Sequence, residues 1–140
     1  MLMAFVVDAS LAAAWFLPDE ASAATTALAR RSADEPCAVP SLFVHEMRNL
    51  FLFAIKRGRI AENVAFTLLS HLDKMPLRDH GVGDSAPIAR LAIKHGLTAY
   101  DAAYLALALA ENLPLATLDK KLATAARAEN VTLLGPLATS

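Results

Sequence analysis

The sequence predicts an α/β fold, three-layered α/β/α around a central parallel sheet, on three observations. Several short apolar runs are continuous rather than alternating, as in strands covered on both faces. They alternate with longer segments of helical period. A nearly all-apolar helix is then followed at once by one of these runs, in LTAYDAAYLALALAENLPLATLD from Leu97 to Asp119. From Ala99 to Ala110 every residue except Asp101 is Ala, Leu or Tyr, and a helix apolar all round is buried. A carboxylate on such a helix needs a reason to be there.

A chain of 140 residues fits one domain spanning 1–140, with a core that needs no covalent staples. Apolar residues make up 56% of it, which excludes disorder, and its abundant alanine favours helix. With a net charge of −1 there is no global attraction to polyanions, so a nucleic-acid partner requires a local basic patch or a metal. The single cysteine, Cys37, cannot close an intrachain disulfide, and the 4 histidines lack zinc-site spacing. A cytoplasmic location is expected. The apolar opening stretch has no basic region before it and is interrupted by Asp8, which argues against a signal peptide and a membrane span.

Taken in order, Ala4 to Val7 reads as a buried first strand with Asp8 at its carboxyl end. Ser10 is the expected cap of a helix from Leu11 to Leu17, Pro18 stops it, and Asp19 and Glu20 open a second helix to about Ser32. Cys37 to Val39 is a brief second strand, and Pro40 and Ser41 introduce a helix from Leu42 to Arg57 with Gly58 at its C-cap. A helix over about Ala61 to Leu72 precedes a weak strand from Met75 to Asp79, demoted by Pro76. Gly81 and Gly83 make a turn. Asp84 or Ser85 caps a helix to Lys94 that ends at Gly96, and Thr98 caps the apolar helix. Leu113 to Leu118 is the central strand, a helix follows Asp119 to about Glu129, and Val131 to Leu134 is the last strand.

Four acids stand out, each with a plain structural reading beside the chemical one. Asp8 suits a turn between strand and helix. Asp101 falls at the third helical position after Thr98, where a capping box places its acid. Asp119 suits the N-cap of the last helix. Glu46 is harder to explain in that way. At about 100° per residue it falls between Phe53 and Leu50, on the core side of its helix, while His45 and Arg48 point away and Asn49 borders it. An ionised carboxylate there must be neutralised, hydrogen-bonded, paired or bound to a cation. No lysine or arginine on the apolar strands or the central helix is available to pair with it. Two strand ends, a helix inner face and the first turn of a buried helix could thus direct four carboxylates into one pocket. Such a pocket repels itself without a counter-ion, and hard oxygen ligands without histidine or thiolate suit Mg²⁺ or Mn²⁺.

The segments VVDAS, HEMRN, YDAAYLALA and TLDKKL, in this order and spacing, resemble those of PIN-domain ribonucleases, most closely the VapC toxins of bacterial toxin–antitoxin modules. The resemblance covers almost the whole chain. It implies a PIN-like fold in which Asp8, Glu46, Asp101 and Asp119 occupy the four acidic positions that are catalytic and hold the metal. Ser10 and Thr117 match hydroxyl positions beside them. It further implies a metal-dependent endoribonuclease that acts on RNA, forms a homodimer and is inhibited by a cognate VapB-type antitoxin. The chemistry agrees, because a carboxylate-held metal activates water, orients it toward the phosphodiester and stabilises developing charge. A metal-free mechanism would need positioned acids and bases, usually histidines, and those here lie in unrelated contexts.

Other features have a functional and a plain reading. Lys56, Arg57 and Arg59 could grip RNA phosphates, or be cations stabilising a helix C-terminus. Lys120 and Lys121 stand closer to Asp119. Trp15 and Phe16 belong either to an antitoxin groove or to the core, and Tyr100 and Tyr104 to a buried or subunit surface. Two other functions compete: a receiver-like phosphoacceptor domain, and a catalytically silent PIN-fold interaction module. The first wants adjacent acids after the first strand and a late lysine at a strand end, and Asp8 has no acidic neighbour. The presence of all four acids argues against the second.

Overall fold

A computed structural model describes residues 3–138, so the first two and last two positions of the chain lie outside the description. The strands are β1 (Val6–Val7), β2 (Cys37–Val39), β3 (Leu77–Asp79), β4 (Leu115–Ala116) and β5 (Leu133–Leu134). The helices are α1 (Ala9–Phe16), α2 (Ala23–Asp34), α3 (Leu42–Lys56), α4 (Glu62–Lys74), α5 (Ser85–His95), α6 (Ala99–Glu111) and α7 (Lys120–Ala128). All strand pairings are parallel, in the order β3-β2-β1-β4-β5. The fold is therefore α/β with a central parallel sheet, as expected.

The strand order explains the helical layers. From β1 the chain moves outward through β2 to β3, then returns past β1 to β4 and β5. Parallel crossovers are right-handed, so reversing direction moves the connecting helices to the other face. The helix contacts divide accordingly: α1 packs on α2 and α3, and α3 on α4, whereas α6 packs on α5 and α7. Phe5, Val6, Val7, Leu115 and Ala116 are fully buried between the layers, and Phe16 meets Phe51 edge-on with ring centroids 5.4 Å apart.

Several local expectations need correction. The strands are shorter than their apolar runs, because a parallel ladder extends only where neighbouring strands overlap. Ser10 is not the cap of the first helix. Asp8 is: its carboxylate accepts from the Leu11 backbone N–H, and the helix begins at Ala9. Asp19 and Glu20 lie in a single 3₁₀ turn after Pro18, and the second helix starts later, capped by Ser22 in a reciprocal box with Thr25. The apolar helix α6 is not buried all round, since Tyr100 is 65% and Leu109 40% exposed. Gly96 ends α5 in the left-handed region as expected.

Candidate active site

The register of the sheet sets the first contact. Val7 stands opposite Ala116, and the Asp8 N–H continues the ladder to the Ala116 carbonyl, so Asp8 and Thr117 emerge side by side from the carboxyl ends of β1 and β4. This is where the chain's direction across the sheet reverses, the place at which open α/β sheets form a crevice.

Asp8, Glu46, Asp101 and Asp119 all line one small cleft of about 130 Å³, together with Ala9, Ser10 and Tyr104. Asp8 is the most tightly held. Its Oδ1 accepts from Ser10 Oγ at 2.7 Å and from the Leu11 N–H at 3.0 Å, and its Oδ2 accepts from Thr117 Oγ1 at 2.5 Å. The same two hydroxyls also accept backbone N–H groups, Ser10 from Leu118 across the crevice and Thr117 from Asp119 within its own turn. Asp119 caps α7, its Oδ1 accepting from the N–H groups of Lys121 and Leu122. Thr98 caps α6 by accepting from the Asp101 backbone N–H, but the reverse bond of a capping box, from the Thr98 N–H to the Asp101 carboxylate, is not made. Glu46 sits at the edge of the core face of α3, half-buried, and its Oε1 accepts from Tyr104 Oη at 2.5 Å.

Three helix N-termini thus converge on the cleft: Asp8 and Asp119 are N-caps, and Asp101 lies in a first turn. Their positive dipole ends partly offset the clustered negative charge. The offset is incomplete. Burial pushes the Asp8 carboxyl up to about 6, against the opposing pull of its hydrogen bonds, with the charge of Asp119 adding to the rise. Burial also raises Glu46, opposed by the Tyr104 hydrogen bond and reinforced by Asp101. Asp101 is raised by burial and by Asp119, with Thr98 and Lys121 acting the other way.

The donor set fits a hard divalent cation. Every polar side chain lining the cleft offers oxygen, and no histidine, cysteine, lysine or arginine is among them. The carboxylates are not gathered into a cage: among the described residues no three acidic, histidine or cysteine side chains stand close enough together to hold an ion by themselves. Mg²⁺ does not require such a cage, because it keeps several waters and is commonly held by one or two carboxylates.

The family profile described as PIN domain matches residues 5–128, from β1 through α7. The chain belongs to the PIN-domain family. It is 35% identical over 124 residues to a protein named Ribonuclease VapC3 from Pyrobaculum aerophilum, covering 86% of this chain and 93% of that one. The fold is similar to the crystal structure of PAE2754 from the same organism, with a TM-score of 0.65 and 25% identity over 88% of this chain and 79% of that one. Membership in the PIN-domain family sets aside the receiver-like alternative.

Within this PIN domain, the participant that sequence reasoning missed is Tyr104. The partner of Glu46 is neither lysine nor arginine but a neutral donor, the phenol three residues beyond Asp101. The spacing of Asp101 and Tyr104 on one helix face was the available signal. Trp15 and Phe16 are both half-buried and packed against the core, and the Trp15 indole N–H donates to the Thr25 carbonyl at 2.8 Å. The basic cluster divides. Arg59 forms ion pairs with Asp19 and Glu20 at 2.7 and 3.1 Å, yet it and Arg57 line a groove that also contains Ala9 and Glu46. Asp79, at the end of β3, is not part of the cleft, because its Oδ1 accepts from Ser41 Oγ and the Gly81 N–H.

Proposed function

We propose that the chain is a Mg²⁺- or Mn²⁺-dependent endoribonuclease, the toxin of a VapBC-type toxin–antitoxin module. The observation that carries this reading is that four carboxylates from separate elements line one cleft at the reversal point of the sheet. The likeness to Ribonuclease VapC3 supports the substrate class and the toxin role. Asp8, Glu46, Asp101 and Asp119 are the residues that would hold the cation. When bound, it lowers the pKa of water and stabilises negative charge developing on the phosphodiester.

The chain's own groups do the rest. Ser10, Thr117 and the Leu11 N–H fix the Asp8 carboxylate in one orientation. The N-termini of α1, α6 and α7 favour a phosphate entering between them. Arg57, in the groove beside Glu46, and Lys121, whose charge reaches Asp101, bind flanking RNA phosphates. No histidine lines the cleft, so proton transfer by imidazole has no group positioned for it.

The same reading includes a VapB-type antitoxin that covers the acidic cleft, a cytoplasmic location and a homodimer. Phe66 at 63%, Val82 at 81% and Ile93 at 84% exposure are large apolar side chains open at the surface. No helix among the described residues is long and apolar enough to cross a membrane.

The test is to incubate purified protein with RNA in Mg²⁺, Mn²⁺ or EDTA, and in parallel with an acyl-phosphate donor. Sequencing of RNA ends after brief induction in cells then reads the cut sites. Cation-dependent internal cleavage without phosphate uptake is expected. Intact RNA under every cation condition would leave the silent interaction module as the better account.

A further inference from the structure

The phenol of Tyr104 lies at the junction of the two helices that carry acids without strand support. α6 delivers Asp101 and, one turn later, Tyr104, so both side chains project from the same face. The tyrosine ring is 1% exposed, and its hydroxyl reaches the cleft lining and donates to Glu46 Oε1 at 2.5 Å. Among the described residues this is the one hydrogen bond to the Glu46 carboxylate, and Oε2 has no protein donor. Asp8 is held by three donors and Asp119 by two backbone N–H groups, whereas Glu46 is oriented by this phenol alone.

We propose that Tyr104 is a positioning residue that fixes Glu46, occupying one carboxylate oxygen so that the other is presented to the cation in the cleft. The inference rests on the metal-dependent nuclease reading above and adds a residue to it. Tyr104 acts through Glu46 and does not touch the substrate. The direction of the bond is set by the groups themselves, because an ionised carboxylate can only accept and the phenol supplies the O–H. A neutral donor suits this role better than a lysine would. It orients the glutamate without cancelling the charge that attracts the cation. Removing such a partner of a metal-binding carboxylate typically weakens metal affinity or activity by about 10- to 100-fold.

The test uses Tyr104→Phe, which keeps the buried ring and deletes one oxygen. Mn²⁺ binding is measured by titration calorimetry, and RNA cleavage is followed across a range of Mn²⁺ concentrations. The expected result is Mn²⁺ binding about tenfold weaker and a matching rise in the Mn²⁺ concentration for half-maximal cleavage, with most of the rate recovered at saturating Mn²⁺. In a Glu46→Gln background the same substitution should add little, because Tyr104 works through that carboxylate. A Tyr104→Phe protein that melts lower but binds Mn²⁺ like wild type has lost packing alone, and that result overturns the proposal while leaving the nuclease reading intact. If wild type itself neither binds Mn²⁺ nor cleaves RNA, the nuclease reading fails and this inference falls with it. An equal loss from Tyr104→Phe with and without Glu46 would also overturn it.

Discussion

Thr117 Oγ1 donates to Asp8 Oδ2 at 2.5 Å across 109 residues of sequence, joining the carboxyl ends of the two central strands. Thr117 is fully buried, and its oxygen also accepts the Asp119 backbone N–H, so one hydroxyl orients Asp8 and the turn that carries Asp119. Thr117→Val is nearly isosteric but leaves both groups without that partner. Expected outcomes are a loss of about 1–3 kcal/mol of stability and a cleavage rate lowered by about tenfold or more. Chemical denaturation and a cleavage assay check the two effects separately.

Asp101→Asn distinguishes a site residue from a capping residue. The Thr98 cap uses the backbone N–H of residue 101, which asparagine retains. The substitution removes a charge that repels Asp119 and Glu46, so without metal the variant should melt higher than wild type. For wild type, about 10 mM Mg²⁺ and a dissociation constant of about 1 mM give about 1.4 kcal/mol of stabilisation. That raises the melting temperature by roughly 3–6 °C in a domain of this size. Asp101→Asn should respond little. A lower metal-free melting temperature with an unchanged Mg²⁺ response would mean that Asp101 serves only the helix.

Asp8 gives a pH signature. Its carboxyl ordinarily titrates near 3.8 and is raised to about 6 in the fold. Between those values the unfolded chain gives up the proton while the folded chain keeps it, so the contribution of Asp8 to stability falls as pH rises. Above about pH 6 the buried carboxylate costs about 3 kcal/mol relative to acid. In EDTA, the stability advantage of Asp8→Asn over wild type should therefore grow from about pH 4 to pH 6 and then level off. Taking the difference between the two proteins cancels acids such as Asp79 and Glu129, which are lowered and act in the opposite sense. A difference independent of pH would rule out burial of Asp8 as its source.

The strand-end acids were legible because a continuous apolar run followed by an aspartate and a helix has few other readings, and Val6–Val7 with Asp8 and Leu115–Ala116 with Asp119 both follow it. Their capping role and their place in the cleft prove compatible, since Asp119 caps α7 through Oδ1 and also lines the cleft. What stayed hidden depends on distant approach. Tyr104 meets Glu46 across 58 residues, and no local pattern reports how closely α3 and α6 come together. The helical wheel places Glu46 beside Phe53 on the core side, yet Phe53 is 52% exposed and lines the open groove that also contains Glu46 and Arg57. Ser10 looks like a cap in the sequence, but Asp8, two residues earlier, ends the strand and begins the helix in one step.

The four acids should not be equal. Asp119 Oδ1 already accepts two backbone N–H groups, which leaves less of this carboxylate for a cation than Glu46 with its single donor, and unlike Asp8 it is only partly buried at the cleft. Asparagine is also a good N-cap. Asp119→Asn should keep wild-type stability within a few tenths of a kcal/mol and lose less cleavage than Asp8→Asn, Glu46→Gln or Asp101→Asn. Equal loss at all four positions would contradict this ranking.

RNA binding should be weakened without a change in cut site by Arg57→Ala and Lys121→Ala, because phosphate contacts carry no sequence information. Each should lower the slope of log affinity against log salt by about one. An altered cleavage pattern with an unchanged slope would mean that these side chains read bases instead.

The most direct test compares wild type with Asp8→Asn in a single RNA-cleavage assay, with Mn²⁺ and with EDTA. Asparagine preserves the volume at this 4% exposed position and removes the charge. The account predicts internal cleavage by wild type in Mn²⁺, none in EDTA, and none by a folded Asp8→Asn protein in either. Cleavage by that variant at the wild-type rate, or cleavage by wild type undiminished in EDTA, would contradict it.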